Sequence, residues 1–195
     1  MSDSKESYKQ IVLADDRGQT AVVVELCKKY LRKFPNDGFV WVWYGMAQTK
    51  LFRYAEGEKA IRRAIKLCPP KGLPVAYVQM GEIYKGKGDF KKAAFWYRKA
   101  LKQKPQDATY HIYLGCNAFE HGLFKQAKSY FRGALRCSEG CSDEAYFNLG
   151  GILLGERNYS EAVKCYEETL RIDPKNKIAN ERLDDAKLAL LIANS

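Results

Sequence analysis

The sequence predicts an all-α chain, a solenoid of helix-turn-helix repeats, on three observations. Gly45, Gly81, Gly115 and Gly150 stand 36, 34 and 35 residues apart, a period typical of stacked two-helix repeats. At fixed distances after each glycine come a small, a large and a small residue at helical spacing. Pro35, Pro69, Pro105 and Pro174 recur at one phase of the period, where a missing N–H and a fixed φ end a helix without cost to its interior. Composition agrees. Of 195 residues, 46% are apolar and 29% charged, the balance of a folded chain and not of a disordered or collagen-like one.

Each repeat opens with the helix that carries the glycine. Twelve, sixteen and nineteen residues later stand Gly57/Ile61/Ala64, Ala93/Tyr97/Ala100, Ala127/Phe131/Ala134 and Ala162/Tyr166/Thr169. Offsets of four and three put each trio on one face of a second helix. The small ends admit a neighbouring helix, and the large centre fills the gap between them. Between the helices, Gly88-Asp89-Phe90, Gly122-Leu123-Phe124 and Arg157-Asn158-Tyr159 read as turns, with a glycine or asparagine in left-handed backbone.

Counting back 34 residues from Gly45 reaches Ile11, with Val23, Cys27, Tyr30, Leu31 and Pro35 in phase. Repeat one, residues 4–35, is therefore degenerate. Repeat two is expected over 38–69, repeat three over 74–105, repeat four over 108–139 and repeat five over 143–174. Repeat four has Glu139 where the others have proline, and one inserted residue, so Cys137-Ser138-Glu139-Gly140-Cys141 is the least regular boundary. Residues 177–192 place Ile178, Leu183, Ala186, Leu190 and Leu191 among polar residues. This is expected to be a helix that covers the open end of the stack.

The run from Ala76-Tyr77-Val78-Gln79-Met80-Gly81-Glu82-Ile83-Tyr84 to Ala93, Tyr97, Ala100, Leu101 and Pro105 resembles a tetratricopeptide repeat. So does the run from Tyr146-Phe147-Asn148-Leu149-Gly150 to Ala162, Tyr166 and Pro174. The likeness extends from Ser4 to Pro174, with departures at Ile11 and Val23 of repeat one and Gly57 of repeat two. It implies a right-handed α-α superhelix, one solenoid over residues 1–195. It also implies a non-enzymatic scaffold or adaptor for another protein, with no cofactor.

The residues themselves supply little for catalysis. His111 falls on the packed face of a first helix and His121 beside the Gly122 turn. No carboxylate or cysteine has a partner at the spacing of a nucleophile and its base. Gly81-x-x-x-x-Gly86-Lys87-Gly88 misses the phosphate-cradling loop, because Gly88 stands where a Ser or Thr must reach magnesium. Cys137 and Cys141 are four apart without a second ligand pair, so no metal site is expected. The six cysteines are expected to be reduced thiols. No signal-peptide core follows the polar first residues and no apolar run approaches the ~20 residues of a membrane helix, so a cytoplasmic location is expected.

Two surfaces are candidates. By the family resemblance, positions six and three before each glycine and one and four after it line the concave face. Apolar side chains there make a partner-binding groove of Phe39, Val42, Met46, Val75, Val78, Ile112, Cys116, Phe119 and Phe147, with Glu82 among them and Trp43, Gln79, Tyr113 and Asn148 beside it. The column Tyr8/Val42/Val78/Ile112/Phe147 is apolar throughout, and an aspartate at Val78 or Ile112 is expected to weaken binding without unfolding the stack. Neither register of these columns supplies the Lys and Asn set with which relatives clamp acidic chaperone tails, so a chaperone tail is disfavoured.

Seventeen, eighteen and twenty-one residues after each glycine position lies the second surface: Lys28/Lys29/Arg32, Arg62/Arg63/Lys66, Arg98/Lys99/Lys102 and Arg132/Gly133/Arg136. These eleven charges form a basic ridge that ends at Glu167 and Glu168. The chain carries +10 overall, but residues 143–195 hold 7 basic and 10 acidic residues. Two alternatives to the groove follow. One is electrostatic binding of an anionic partner by the ridge, whether nucleic acid, acidic protein or lipid surface, with sequence-specific nucleic-acid reading disfavoured. The other is head-to-tail self-association.

Overall fold

The structure, a computed structural model, describes residues 2–140 and 142–195, with side chains from residue 5 onward. Cys141, and with it the Cys137/Cys141 spacing, lies outside the described residues. Among the described residues there are eleven α-helices and no strand: α1 Ser2–Asp16, α2 Thr20–Lys33, α3 Gly38–Lys50, α4 Tyr54–Leu67, α5 Leu73–Gly86, α6 Phe90–Gln103, α7 Ala108–Glu120, α8 Phe124–Ala134, α9 Asp143–Gly155, α10 Tyr159–Ile172 and α11 Lys177–Asn194. The all-α helix-turn-helix class expected of the sequence is the class observed. The chain divides into two compact units, Met1–Gln103 and Lys104–Ser195.

In the N-terminal unit, helices pair in chain order, and α3 also lies against α5. Ile11, Val23, Val24, Cys27, Tyr30, Leu31, Val40 and Ala47 form one core. Val42, Ile61, Ala64, Ala76, Met80 and Ile83 form the next. In the C-terminal unit, Ala127, Phe131, Leu149, Ile152, Tyr166 and Leu183 centre a single core to which α7 through α11 contribute. Of the apolar residues expected to make α11 a cover, Leu183 and Ala186 are buried, whereas Ile178 and Leu191 are exposed.

The glycine period has a steric cause. A Cβ built on Gly81 would lie 2.3 Å from Tyr97 Cε1, one on Gly115 2.5 Å from Phe131 Cε1, and one on Gly45 2.5 Å from Ile61 Cδ1. In each pair the large central residue of the second helix rests on the bare backbone of the first, so any side chain there would force the helices apart.

Seven residues after each ruler position the backbone turns left-handed, at Gly18 (φ 67°), Phe52 (59°), Gly88 (76°), Gly122 (76°) and Arg157 (61°). The fifth turn corrects the sequence reading. Asn158 has φ −87° and caps α10, its side chain accepting from the N–H of Glu161, while Arg157 takes the left-handed place. The irregular boundary is tied down by backbone pairing: Glu139 donates to Gln106 (3.0 Å) and Ala108 donates to Glu139 (2.9 Å).

The apolar column is a second correction. Val42, Val78 and Ile112 are 7%, 4% and 6% exposed, so they belong to the packed interior and not to an open groove. Val42 sits in a core shared by α3, α4 and α5, and Ile112 in the core of the C-terminal unit. With α3 against α5 and α7 against α9, the next first helix covers Val42 and Ile112. An aspartate at Val78 or Ile112 would be a buried charge, not a surface probe.

Candidate functional site

The remaining groove residues fall on first helices, in two sets. In the N-terminal unit Phe39 and Val75 are exposed, and Trp43, Met46, Gln79 and Glu82 half-buried. Several are already engaged. The indole N–H of Trp43 donates to Tyr8 Oη at 3.3 Å, and Glu82 accepts from Tyr97 Oη at 2.6 Å and pairs with Lys85 at 3.3 Å. The Trp43 and Tyr97 bonds tie inner-face side chains to neighbouring helices, and the Lys85 pair lies within α5.

In the C-terminal unit the structure brings Phe119, Phe147 and Asn148 together in one cleft of about 470 Å³. Gly151, Leu154, Gly155, Tyr166, Ile178 and Arg182 complete its lining. Phe147 stands edge-on to the buried Tyr166, with ring centroids 5.9 Å apart. The bare backbones of Gly151 and Gly155 on α9 leave the floor open. Tyr113 and Cys116 are half-buried on α7 and are not part of the cleft. Ile178 and Arg182 come from α11, one helical turn apart, and column counting could not find them because α11 lies beyond the repeats. The cleft therefore offers apolar and aromatic side chains, with an amide and a guanidinium for polar contacts.

The basic residues are exposed in both units. Arg62, Arg63 and Lys66 lie on α4, Arg98, Lys99 and Lys102 on α6, and Arg132 on α8, whereas Arg136 falls after α8 ends at Ala134. The column is interrupted at Gly133 for a packing reason: a Cβ there would meet His111 Nδ1 at 2.8 Å. Burial, with a smaller effect from Arg136, pushes the His111 imidazole below its ordinary value, so it is a neutral packing residue.

Arg62 is not free to act as a ligand. Glu58 Oε1 accepts from it at 2.7 Å and from Tyr84 Oη at 3.0 Å, while Glu58 Oε2 accepts from Lys87 Nζ at 2.6 Å. Burial raises the Glu58 carboxyl, but the hydrogen bonds from Lys87, Arg62 and Tyr84 outweigh it and hold the group at about 2. The buried thiols move the other way. Burial, reinforced by Asp15, takes Cys27 to about 12, and burial with Glu161 takes Cys165 to about 11. Both are protonated at neutral pH and neither is a nucleophile.

Comparison with known proteins places these features in context. Two sequence models of the tetratricopeptide repeat match the chain, one over residues 143–176 and the other over 40–71 and 74–107, together half of its length. The chain is 30% identical over 93 residues to tetratricopeptide repeat-containing protein trd-1 of Caenorhabditis elegans, covering 48% of this chain and 11% of that one. It spans about a tenth to a quarter of the length of the curated relatives it matches. In fold it is similar to TTC0263, a thermophilic repeat protein of Thermus thermophilus, with TM-score 0.75, 20% identity, and 95% and 99% of the two chains covered. It is also similar to a chain of the APC/C hetero-tetramer Cut9-Hcn1, with TM-score 0.74, 14% identity, and 95% and 36% covered.

Proposed function

Because this chain belongs to the tetratricopeptide-repeat family, we propose that it is a non-enzymatic scaffold that holds a segment of a partner protein, seated in the cleft of the C-terminal unit. Repeats of this family generally mediate protein–protein interaction, and one structural relative, Cut9-Hcn1, is a hetero-tetramer. The observation that carries the reading is the cleft itself. Phe119, Phe147, Leu154 and Ile178 offer an apolar seat, and Asn148 and Arg182 offer an amide and a guanidinium for a peptide backbone or a carboxylate. The matching segment has one apolar anchor next to an acidic residue. On the N-terminal unit, Phe39, Val75, Trp43, Met46, Gln79 and Glu82 are proposed as a separate contact surface.

The test is selection of binders from a displayed random-peptide library on the whole chain, followed by affinity measurement on variants. Phe119→Asp and Ile178→Asp alter exposed residues of the cleft, so the fold survives and the thermal midpoint stays put. Selected peptides should bind these variants at least tenfold more weakly. Equal affinity for wild type and both variants would place the contact elsewhere and end this reading.

A further inference from the structure

We propose that the outer face of the N-terminal unit binds single-stranded nucleic acid, without sequence preference, by stacking bases on its aromatic rings and holding phosphates with the cations beside them. Charge is the first observation. The N-terminal unit holds 21 basic and 10 acidic residues, net +11, and the C-terminal unit 12 and 13, net −1. The whole excess of positive charge therefore lies on one unit.

The second observation is where those cations sit. Lys99 Nζ lies 4.7 Å from the ring centroid of Trp96, 4.8 Å from Phe95 and 5.7 Å from Tyr77. Arg63 stands 5.6 Å over Trp41, and Lys87 and Lys92 stand 5.3 and 5.4 Å over Tyr84. Trp41 and Tyr77 occupy the same place in their helices, four before the glycine, and Arg63 and Lys99 the same place eighteen after it. A ring-and-cation pair is thus repeated along this face. Phe95 is 51% exposed, a ring face that burial in the core does not explain.

The third observation is a cleft of about 290 Å³ against Trp41, lined by Lys28, Leu31, Arg32 and Tyr44. The Trp41 indole is held in place by its N–H donating to the carbonyl of Pro35 at 2.8 Å. The result is a fixed flat ring with Lys28, Arg32 and Arg63 around it.

In this proposal a base stacks on an exposed ring such as Phe95 while Arg32, Arg63 and Lys99 hold the phosphates, since Lys87 and Lys92 are already paired with Glu58 and Asp89. An acidic polypeptide would use the cations and leave the rings idle. A duplex keeps its base faces stacked internally, out of reach of Phe95 and Trp41. An anionic bilayer needs a protruding apolar plane, whereas here a cation stands over each of these rings.

The experiment is fluorescence anisotropy of end-labelled 12-nucleotide dT and rU strands titrated with the whole chain. For four phosphates held, a salt slope of about −0.7 per phosphate weakens binding about fiftyfold from 50 to 200 mM salt. Tryptophan fluorescence should be quenched on binding. Phe95→Ala should weaken binding at least fivefold with the salt slope unchanged, since it removes a stack and no charge. Lys99→Gln should weaken it and flatten the slope by about 0.7. Comparable dT and rU affinities fit stacking, and preference for rU points to an added contact with the 2′-OH. The proposal is overturned if a 12-base-pair duplex binds as tightly as the single strands, or if Phe95→Ala binds like wild type. Competition by polyglutamate of equal charge, or by anionic phospholipid vesicles, as effective as that of unlabelled dT would also overturn it.

Discussion

At the scale of single residues, two positions in left-handed backbone are not glycine. Phe52 has φ 59° and is 78% exposed, and Arg157 has φ 61°. The left-handed conformation costs an ordinary residue roughly 1–2 kcal/mol, of which glycine's greater freedom in the unfolded chain takes back about 0.5–1. Phe52→Gly and Arg157→Gly should each stabilise the protein by about 0.5–1 kcal/mol, read as a rise of roughly 2 °C in the thermal midpoint. The reverse holds at Gly81, where a methyl group would lie 2.3 Å from the Tyr97 ring. Gly81→Ala should cost roughly 2–3 kcal/mol by overpacking, measured by urea denaturation. Val78→Asp should unfold its repeat, seen as lost helical circular dichroism, because a side chain 4% exposed has no route for its charge to water.

At the scale of elements, Glu58 links α4 to α5 and to the turn after it through Arg62, Tyr84 and Lys87. Its carboxyl is held at about 2 against an ordinary 4.5. A depressed folded value stabilises fully above the unfolded value and is lost as pH falls toward the folded one. Stability should therefore decline as pH drops from about 4.5 to 2, by on the order of 2 kcal/mol for this group after allowance for solvent screening. Glu58→Gln should lose that share of the slope when unfolding free energy is measured across this range, and an unchanged slope would assign the effect to other carboxylates. Much of the element plan was legible in the sequence. Glycine period, proline phase and the trios around Ile61, Tyr97, Phe131 and Tyr166 are local consequences of two helices touching. The burial of Val42 and Ile112 was not, because it depends on which neighbouring first helix covers them. Asn158 was misread by one residue, since a good helix cap and a good left-handed residue share the same chemistry. The cleft was legible only in part: Phe119, Phe147 and Asn148 lie on repeat columns, while Ile178 and Arg182 lie on α11.

At the scale of the whole molecule, the chain has two compact units with separate cores, one strongly basic and one nearly neutral. In repeat architectures stability is built from contacts between neighbours. Tyr166→Ala should cost about 3–5 kcal/mol and accelerate amide exchange across α9–α11, while α3 and α4 keep their protection. Uniform loss of protection would make the chain a single cooperative block. The large residue resting on a glycine has a final consequence, for how such a chain can change its length. Each seat lies within one helix pair, Gly81 under Tyr97 or Gly115 under Phe131, so duplicating or deleting a whole pair leaves every other seat intact. Adding or losing a few residues inside a pair slides the ring off its glycine. Inheritable length should therefore move in steps of a full period, and the residues in excess of 34 are found at 69–73 and 137–141, between pairs, where no seat is disturbed.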